Sequence, residues 1–219
     1  MSKVHQNVFD APAYSGRQAS HYVGVPYQTL RGWIGQDGLI STPQPNVLSF
    51  NNLAEAHILK AMRKTHQLSF QKIRKALSEL SQIRKTDHPL LDESFETDGI
   101  SLCIREEDQI INLSKSRQRE FLEFVSLYLN RIGRDSNGVA TQLYPFITRD
   151  DENEPKHISI SPKVSFGRPV LVGTGVSTSV IAGRFAARDS IADLASEYEV
   201  DSRILEDAIR WEMLKGKAA

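Results

Sequence analysis

The sequence predicts a mainly α protein with small β elements, laid out as three consecutive parts. Apolar residues recur at three- and four-residue spacing through most segments, while strand-like alternation is confined to short runs. Glycine and proline punctuate the chain at Val23-Gly24-Val25, Pro43 to Pro45, Asp87-His88-Pro89 and Gly173-Thr174-Gly175, where turns belong. Charge separates the parts, although the whole chain is neutral: residues 1–86 hold 11 Lys+Arg against 4 Asp+Glu, residues 87–155 hold 7 against 15, and residues 156–219 hold 9 against 8. The expected division is an N-terminal winged helix-turn-helix over 1–86, a small α+β middle or dimerisation module over 87–149, and a linker with a C-terminal three-helix, helix-turn-helix-like domain over 150–219.

The N-terminal part begins with a leader over residues 1–13. A helix is expected from Gly16 to His21, then the tight turn, then a second helix from Pro26 to Ile34, because proline suits a first helical turn whose N–H would be unpaired. Ala19, Val25, Leu30 and Trp33 supply its small core, and Gly35 and Gly38 end the second helix. Leu39 to Phe50, with Pro43, Pro45 and Asn46 between short apolar pieces, suits a β-hairpin wing. A third helix follows from Asn52, with Leu53, Ala56, Leu59 and Met62 at helical spacing. Ser69 can cap a fourth, whose Phe70, Ile73, Leu77 and Leu80 form a stripe for core or dimer contact, and Pro89 halts it.

Beyond Leu90 the pattern changes. Ile100 to Ile104 and Ile110 to Leu113 alternate like strands, Ser116 to Ile132 reads as an amphipathic helix, and Gln142 to Ile147 reads as an edge strand because Pro145 cannot donate to a ladder. Arg149 to Pro155 is the linker. A short strand at His157 leads through Arg168-Pro169-Val170 to Gly173-Thr174-Gly175, and three helices are expected at Thr178–Ala187, Ser190–Tyr198 and Ser202–Lys215. Ser190-Ile-Ala-Asp193 has the form of a capping box with Asp in place of Glu or Gln.

Composition narrows the function classes. With 40% apolar and 25% charged residues the chain is ordinary globular material, and no apolar run reaches the ~18 residues a membrane span requires. The N-terminus carries no apolar signal region, and Cys103 alone excludes an intrachain disulfide or a multi-cysteine metal site. A cytoplasmic protein with no membrane partner is expected. Gly173-x-Gly175 lacks the third glycine of a dinucleotide fingerprint, since Thr178 stands there, and the histidines form no metal-binding spacing. The acidic runs are spaced like turns, so no cofactor, no metal and no catalytic role are expected.

Two family resemblances rest on particular residues. Tyr14, Gly24-Val25, Thr29-Leu30-Arg31-Gly32-Trp33 and Gly38-Leu39-Ile40 follow one another as in the MerR-type winged helix-turn-helix family, which the stretch Tyr14–Gln82 resembles. Gly32 stands where that family carries an aromatic, and the fourth helix runs into Pro89 instead of a long dimerising coiled coil. Gly167-Arg168-Pro169-Val170, Gly173-Thr174-Gly175-Val176 and Ser190 to Tyr198 resemble the domain-of-unknown-function 433 family, found in bacterial antitoxins of the VapB class; Gly175 replaces that family's arginine. Together these resemblances imply a type II antitoxin: a homodimer that binds an inverted-repeat operator, represses its own operon and neutralises a PIN-like ribonuclease toxin. A stand-alone regulator answering to a small ligand and a DNA-tethered adaptor are the alternatives.

The candidate site follows from that ordering. Arg31 is the leading DNA contact, because arginine serves both bases and phosphates. Tyr27, Gln28 and Thr29 occupy the N-terminal turn of the same helix, where side chains approach DNA. Arg17, Arg63 and Lys64 are phosphate candidates, set against an ordinary solvated face, and the basic N-terminal third fits phosphate neutralisation. Arg184 and Arg188 are the candidates for toxin contact.

Overall fold

The computed structural model describes residues 7–34, 38–66, 70–92, 95, 115–145 and 151–215, and the mainly α expectation with small β elements is met. The chain divides into two compact units, Met1–Ala140 and Thr141–Ala219.

The first unit opens with β1 (Tyr14–Ser15) and α1 (Gly16–Val23). Ser15 starts α1 with a capping box: its Oγ accepts from the Gln18 amide at 3.3 Å, while Gln18 Oε1 accepts from the Ser15 amide at 3.0 Å. Gly24 ends the helix in the left-handed region at φ 71°, where its N–H closes onto the His21 and Ser20 carbonyls. Helix α2 (Tyr27–Ile34) follows, and the Leu30 amide donates to the Pro26 carbonyl at 3.1 Å. Ala19, Leu30 and Trp33 are buried as expected, Val25 is only half-buried, and Tyr22 and Val23 complete the packing.

The wing differs from a self-contained hairpin. β2 (Val47–Leu48) pairs antiparallel with β1, in the register Tyr14 to Leu48 and Ser15 to Val47. Only an isolated bridge, Gln44 to Val47, spans the Pro45-Asn46 turn. Pro43 and Pro45 have no N–H to give a ladder, so the returning strand takes its partner from the start of the chain.

Helix α3 (Phe50–His66) is the centre of this unit. Ser49 and Asn52 cap it reciprocally, the Asn52 amide donating to Ser49 Oγ at 3.2 Å and the Ser49 amide donating to Asn52 Oδ1 at 3.1 Å. Phe50, Leu53, Ala54, Ala56, Ile58, Leu59, Ala61 and Met62 have no exposed surface, so this stretch is buried on every side. Around it pack α1, a 3-10 turn at Pro89–Leu91, and α5 (Lys115–Leu129), whose Phe121, Val125 and Tyr128 are buried. α4 (Phe70–Arg84) buries Ile73, Ala76, Leu77 and Leu80 and packs on the 3-10 turn; its expected cap, Ser69, lies outside the described residues. The strands expected at 100–104 and 110–113 also lie outside them, as does Cys103. α5 ends at Leu129, three residues earlier than expected, because the Arg131 amide tightens onto the Tyr128 carbonyl at 3.1 Å and Ile132–Arg134 then forms β3.

Burying α3 places one carboxylate, Glu55, in the interior at 2% exposure. His88 meets it: Nδ1 lies 2.9 Å from Glu55 Oε2, and Nε2 lies 2.8 Å from Asp10 Oδ1. Asn51 Nδ2 donates to Asp10 at 2.7 Å, and Asn52 Nδ2 donates to Glu55 at 3.4 Å and to the Ser41 carbonyl at 2.9 Å. Burial disfavours the charge on His88, but the Glu55 and Asp10 carboxylates outweigh it and push the imidazole up to about 9. Burial raises Glu55, against the pull of His88 and Asn52.

β4 (Ala140–Leu143) covers the start of the strand expected from Gln142 and ends before Tyr144-Pro145, where proline has no N–H to donate; residues 146–147 of that expectation lie outside the described residues. Leu143 and Ile160 exchange backbone hydrogen bonds at 2.9 and 2.8 Å. β5 (Ile158–Ser159) pairs antiparallel with β6 (Val170–Leu171). Three helices follow: α6 (Thr178–Ala186), α7 (Ile191–Tyr198) and α8 (Ser202–Lys215), around Leu171, Ile181, Leu194, Leu205, Ala208 and Ile209. Ser190 caps α7, accepting from the Asp193 amide at 3.1 Å and donating to Asp193 Oδ2 at 2.6 Å. Buried Thr178 donates to Glu212 at 2.6 Å, fastening the start of α6 to α8.

Because His88 titrates above its ordinary 6.5 in the folded chain, the bridge, while Glu55 and Asp10 stay ionised, stabilises fully below about pH 6.5 and is lost as pH rises through about 9. Urea unfolding midpoints should fall across that window, and His88→Gln should remove that part of the slope. Parallel wild-type and variant profiles would show that His88 carries no bridging charge.

Candidate nucleic-acid interface

Helical geometry divides α2 into two faces. Leu30, Trp33 and Ile34 turn inward, while Gln28, Thr29, Arg31 and Gly32 are exposed and Tyr27 is half-buried at the first turn. Four of the five candidate residues on α2 and α1 therefore present their side chains outward: Gln28, Thr29, Arg31 and Arg17. Tyr27 and Arg31 share the wall of a hollow of about 950 Å³ whose other side is the wing, including Leu39, Pro43 and Asn46. The Arg17 guanidinium sits over the Tyr27 ring, 5.0 Å from its centroid, so two residues ten positions apart form one cationic, aromatic corner.

The tip of the wing is fixed to both helices. Asn46 adopts a left-handed φ of 58°, its carbonyl accepts from the Gly16 amide at 2.9 Å, and its Oδ1 accepts from the Tyr27 hydroxyl at 3.1 Å. Gly16 is needed for this approach: a Cβ there would stand 2.2 Å from Asn46 Oδ1 and 3.0 Å from Tyr27 Cε2. Gly32 is the opposite case, exposed and with nothing within 4 Å of where a Cβ would lie.

The remaining candidates are distributed differently. Arg63 is half-buried on α3, and Lys64 follows it with a side chain outside the described residues. Arg184 is committed within the second unit: Nε donates to Asp189 Oδ2 at 2.6 Å, and NH1 donates to Glu197 Oε1 at 2.5 Å and to the Tyr198 hydroxyl at 3.1 Å. These bonds hold Arg184 above and Glu197 below their ordinary ranges. Arg188 is exposed just past α6, with a left-handed φ of 79°. Gly173-Thr174-Gly175 is a tight turn closed by the Leu171 amide donating to the Val176 carbonyl at 2.8 Å. Sequence reading missed Gly16, Asn46 and the His88 cluster, and it missed Phe166, 95% exposed on a left-handed backbone. Among the described residues no group of three His, Cys, Asp or Glu is placed to hold a metal, and no helix is long and apolar enough to cross a membrane.

Residues 158–211 match the family described as "Protein of unknown function (DUF433)". The chain is 26% identical over 231 residues to a protein of Mycobacterium tuberculosis H37Rv described as "Putative antitoxin VapB45", an alignment covering 92% of this chain and 94% of that protein. It also resembles the crystal structure of Rv2018 from Mycobacterium tuberculosis, with a TM-score of 0.73 and 25% identity over 93% of this chain and all of that one. The likeness expected for the C-terminal segment is thus found where the sequence placed it, and the antitoxin relative extends it through both units.

Two glycine-to-alanine changes should have opposite signs. Gly32→Ala should stabilise the chain by about 1 kcal/mol, as expected for an exposed helix interior. Gly16→Ala should destabilise by about 1 kcal/mol, because the exposed Asn46 side chain must swing away and give up its bond to the Tyr27 hydroxyl. Urea midpoints of the two variants moving the same way would contradict the geometry of the wing turn.

Proposed function

We propose that this protein is the antitoxin of a type II toxin–antitoxin pair, a non-enzymatic protein that binds the operator of its own operon and neutralises a PIN-like ribonuclease toxin. The observation that carries the reading is the near full-length similarity to the VapB45 relative. The DNA-binding half rests on the exposed face of α2 with Arg31, Gln28 and Thr29, the Arg17–Tyr27 corner beside it, and the excess of Lys+Arg in residues 1–86. Arg63 and Lys64 would add phosphate contacts at the margin. A homodimer would set two such faces on an inverted repeat, since symmetric half-sites mirror a protein two-fold axis. The acidic middle of the chain would serve dimerisation, and the three-helix unit would hold the toxin. Arg188, exposed after α6, is the better-placed of the two arginine candidates for that contact, because Arg184 already serves three partners of its own unit.

Arg31→Ala should weaken operator binding by about 1–3 kcal/mol while leaving the melting transition in place, measured by titration of a fluorescent duplex. Affinity should also fall steeply with salt, and wild-type affinity that ignores salt would remove the phosphate-reading role of the basic third. Co-expression with the product of the adjacent reading frame should yield a stable complex and relieve that product's toxicity. A neighbour that neither binds nor harms growth by itself would end the antitoxin reading.

A further inference from the structure

We infer that Asn46 is a positioning residue for the DNA-contacting face, coupling the wing turn to helix α2 through the Tyr27 hydroxyl; this rests on the operator-binding reading above. Tyr27 then acts through other groups instead of by its own hydroxyl. Its O–H is taken up by Asn46 Oδ1 at 3.1 Å, and its ring carries the Arg17 guanidinium at 5.0 Å. Asn46 also binds the first amide of α1, Gly16, at 2.9 Å. One residue at the tip of the wing thus bonds the first residue of each helix in the pair, Gly16 through its backbone carbonyl and Tyr27 through its side chain.

The base of the wing is held to the end of α2, where the Leu39 and Ile40 amides donate to the Trp33 carbonyl at 2.7 and 3.0 Å, whereas its turn meets the start of that helix through Asn46. β2 is two residues long and pairs with β1, and the approach to the turn is interrupted by Pro43 and Pro45, which offer no backbone donors. The turn itself is closed by the Val47 amide donating to the Gln44 carbonyl at 3.1 Å. Contacts to a duplex require their supporting groups to be held to about 0.5 Å. With the Tyr27–Asn46 bond in place, Arg31 on α2, Arg17 above Tyr27 and the wing turn share one frame. Without it, the turn keeps its backbone tether to Gly16 but loses its side-chain link to the first turn of α2. The absence of a Cβ at residue 16 is what admits the Asn46 amide to this position.

Two variants isolate the bond. Asn46→Gly keeps the left-handed turn, which glycine adopts freely, and deletes only the amide. Tyr27→Phe deletes only the hydroxyl and keeps the ring beneath Arg17. The probe is a duplex spanning the DNA immediately upstream of the chain's own coding sequence, titrated with the full-length protein. Each variant should bind about tenfold more weakly, the worth of one hydrogen bond, and the double variant should be no weaker than either single one. Salt dependence should be unchanged in Tyr27→Phe, whereas Tyr27→Leu, which removes the ring, should lower its slope by about one unit as Arg17 loses its support. If the wild type fails to bind the duplex, the operator reading fails and the inference falls with it. If the wild type binds and both variants bind equally well, the inference alone is overturned. Losses that multiply in the double variant, to about a hundredfold, would likewise overturn it, since independent effects add in free energy.

Discussion

Burying the Glu55 carboxylate within α3 would cost several kcal/mol unless a cation met it there, and His88 is that cation. The imidazole serves two carboxylates at once, Glu55 within α3 and Asp10 ahead of β1. Three segments that are remote in sequence therefore close on His88, with Asn51 and Asn52 donating to the same carboxylate oxygens that the imidazole meets. A network of this kind is favourable only when nearly every member is satisfied, and that demand fixes how the leader, α3 and the 3-10 turn meet.

The helix pair is built outward from that centre. α1 lies against α3, and its short core of Ala19, Leu30 and Trp33 leaves the polar side of α2 free. The two ends of α1 are set by capping at Ser15 and by the left-handed Gly24, so the angle between the helices is defined by local chemistry. The second unit uses other means for the same end. There Thr178 reaches Glu212 across two helices, and Arg184 draws the end of α6 to Tyr198 on α7. Its polar bonds are spent on holding three short helices around a core of few side chains.

Much of this was legible in the sequence, and the parts that were not share a cause. Periodicity located the helices, and the boundaries of α6, α7 and α8 fall within a residue of expectation because Ser190 and the turn at Glu199 mark them chemically. The exposure of Gln28, Thr29 and Arg31 follows from the inward spacing of Leu30 and Trp33, which a helical wheel already contains. Contacts between distant positions leave no such trace. Tyr27 and Asn46 are 19 residues apart, Glu55 and His88 are 33 apart, and neither pair lies on one periodic face. The second partner of the wing was hidden for a related reason: its prolines were visible, but the strand that pairs with β2 lies far off in sequence at Tyr14–Ser15. The bonds of Arg184 are hidden in the same way, since Glu197 and Tyr198 belong to the next helix.

Gly32 leaves a blank position in the middle of the exposed side of α2, bordered by Arg31 and by buried Trp33. A Cβ added there would displace no other atom, and an alanine would strengthen the helix. The surface chemistry of this helix is thus uncoupled from the packing beneath it. Related chains could differ in the chemistry this exposed face presents by altering one residue, with Leu30, Trp33 and Ile34 still packed beneath it.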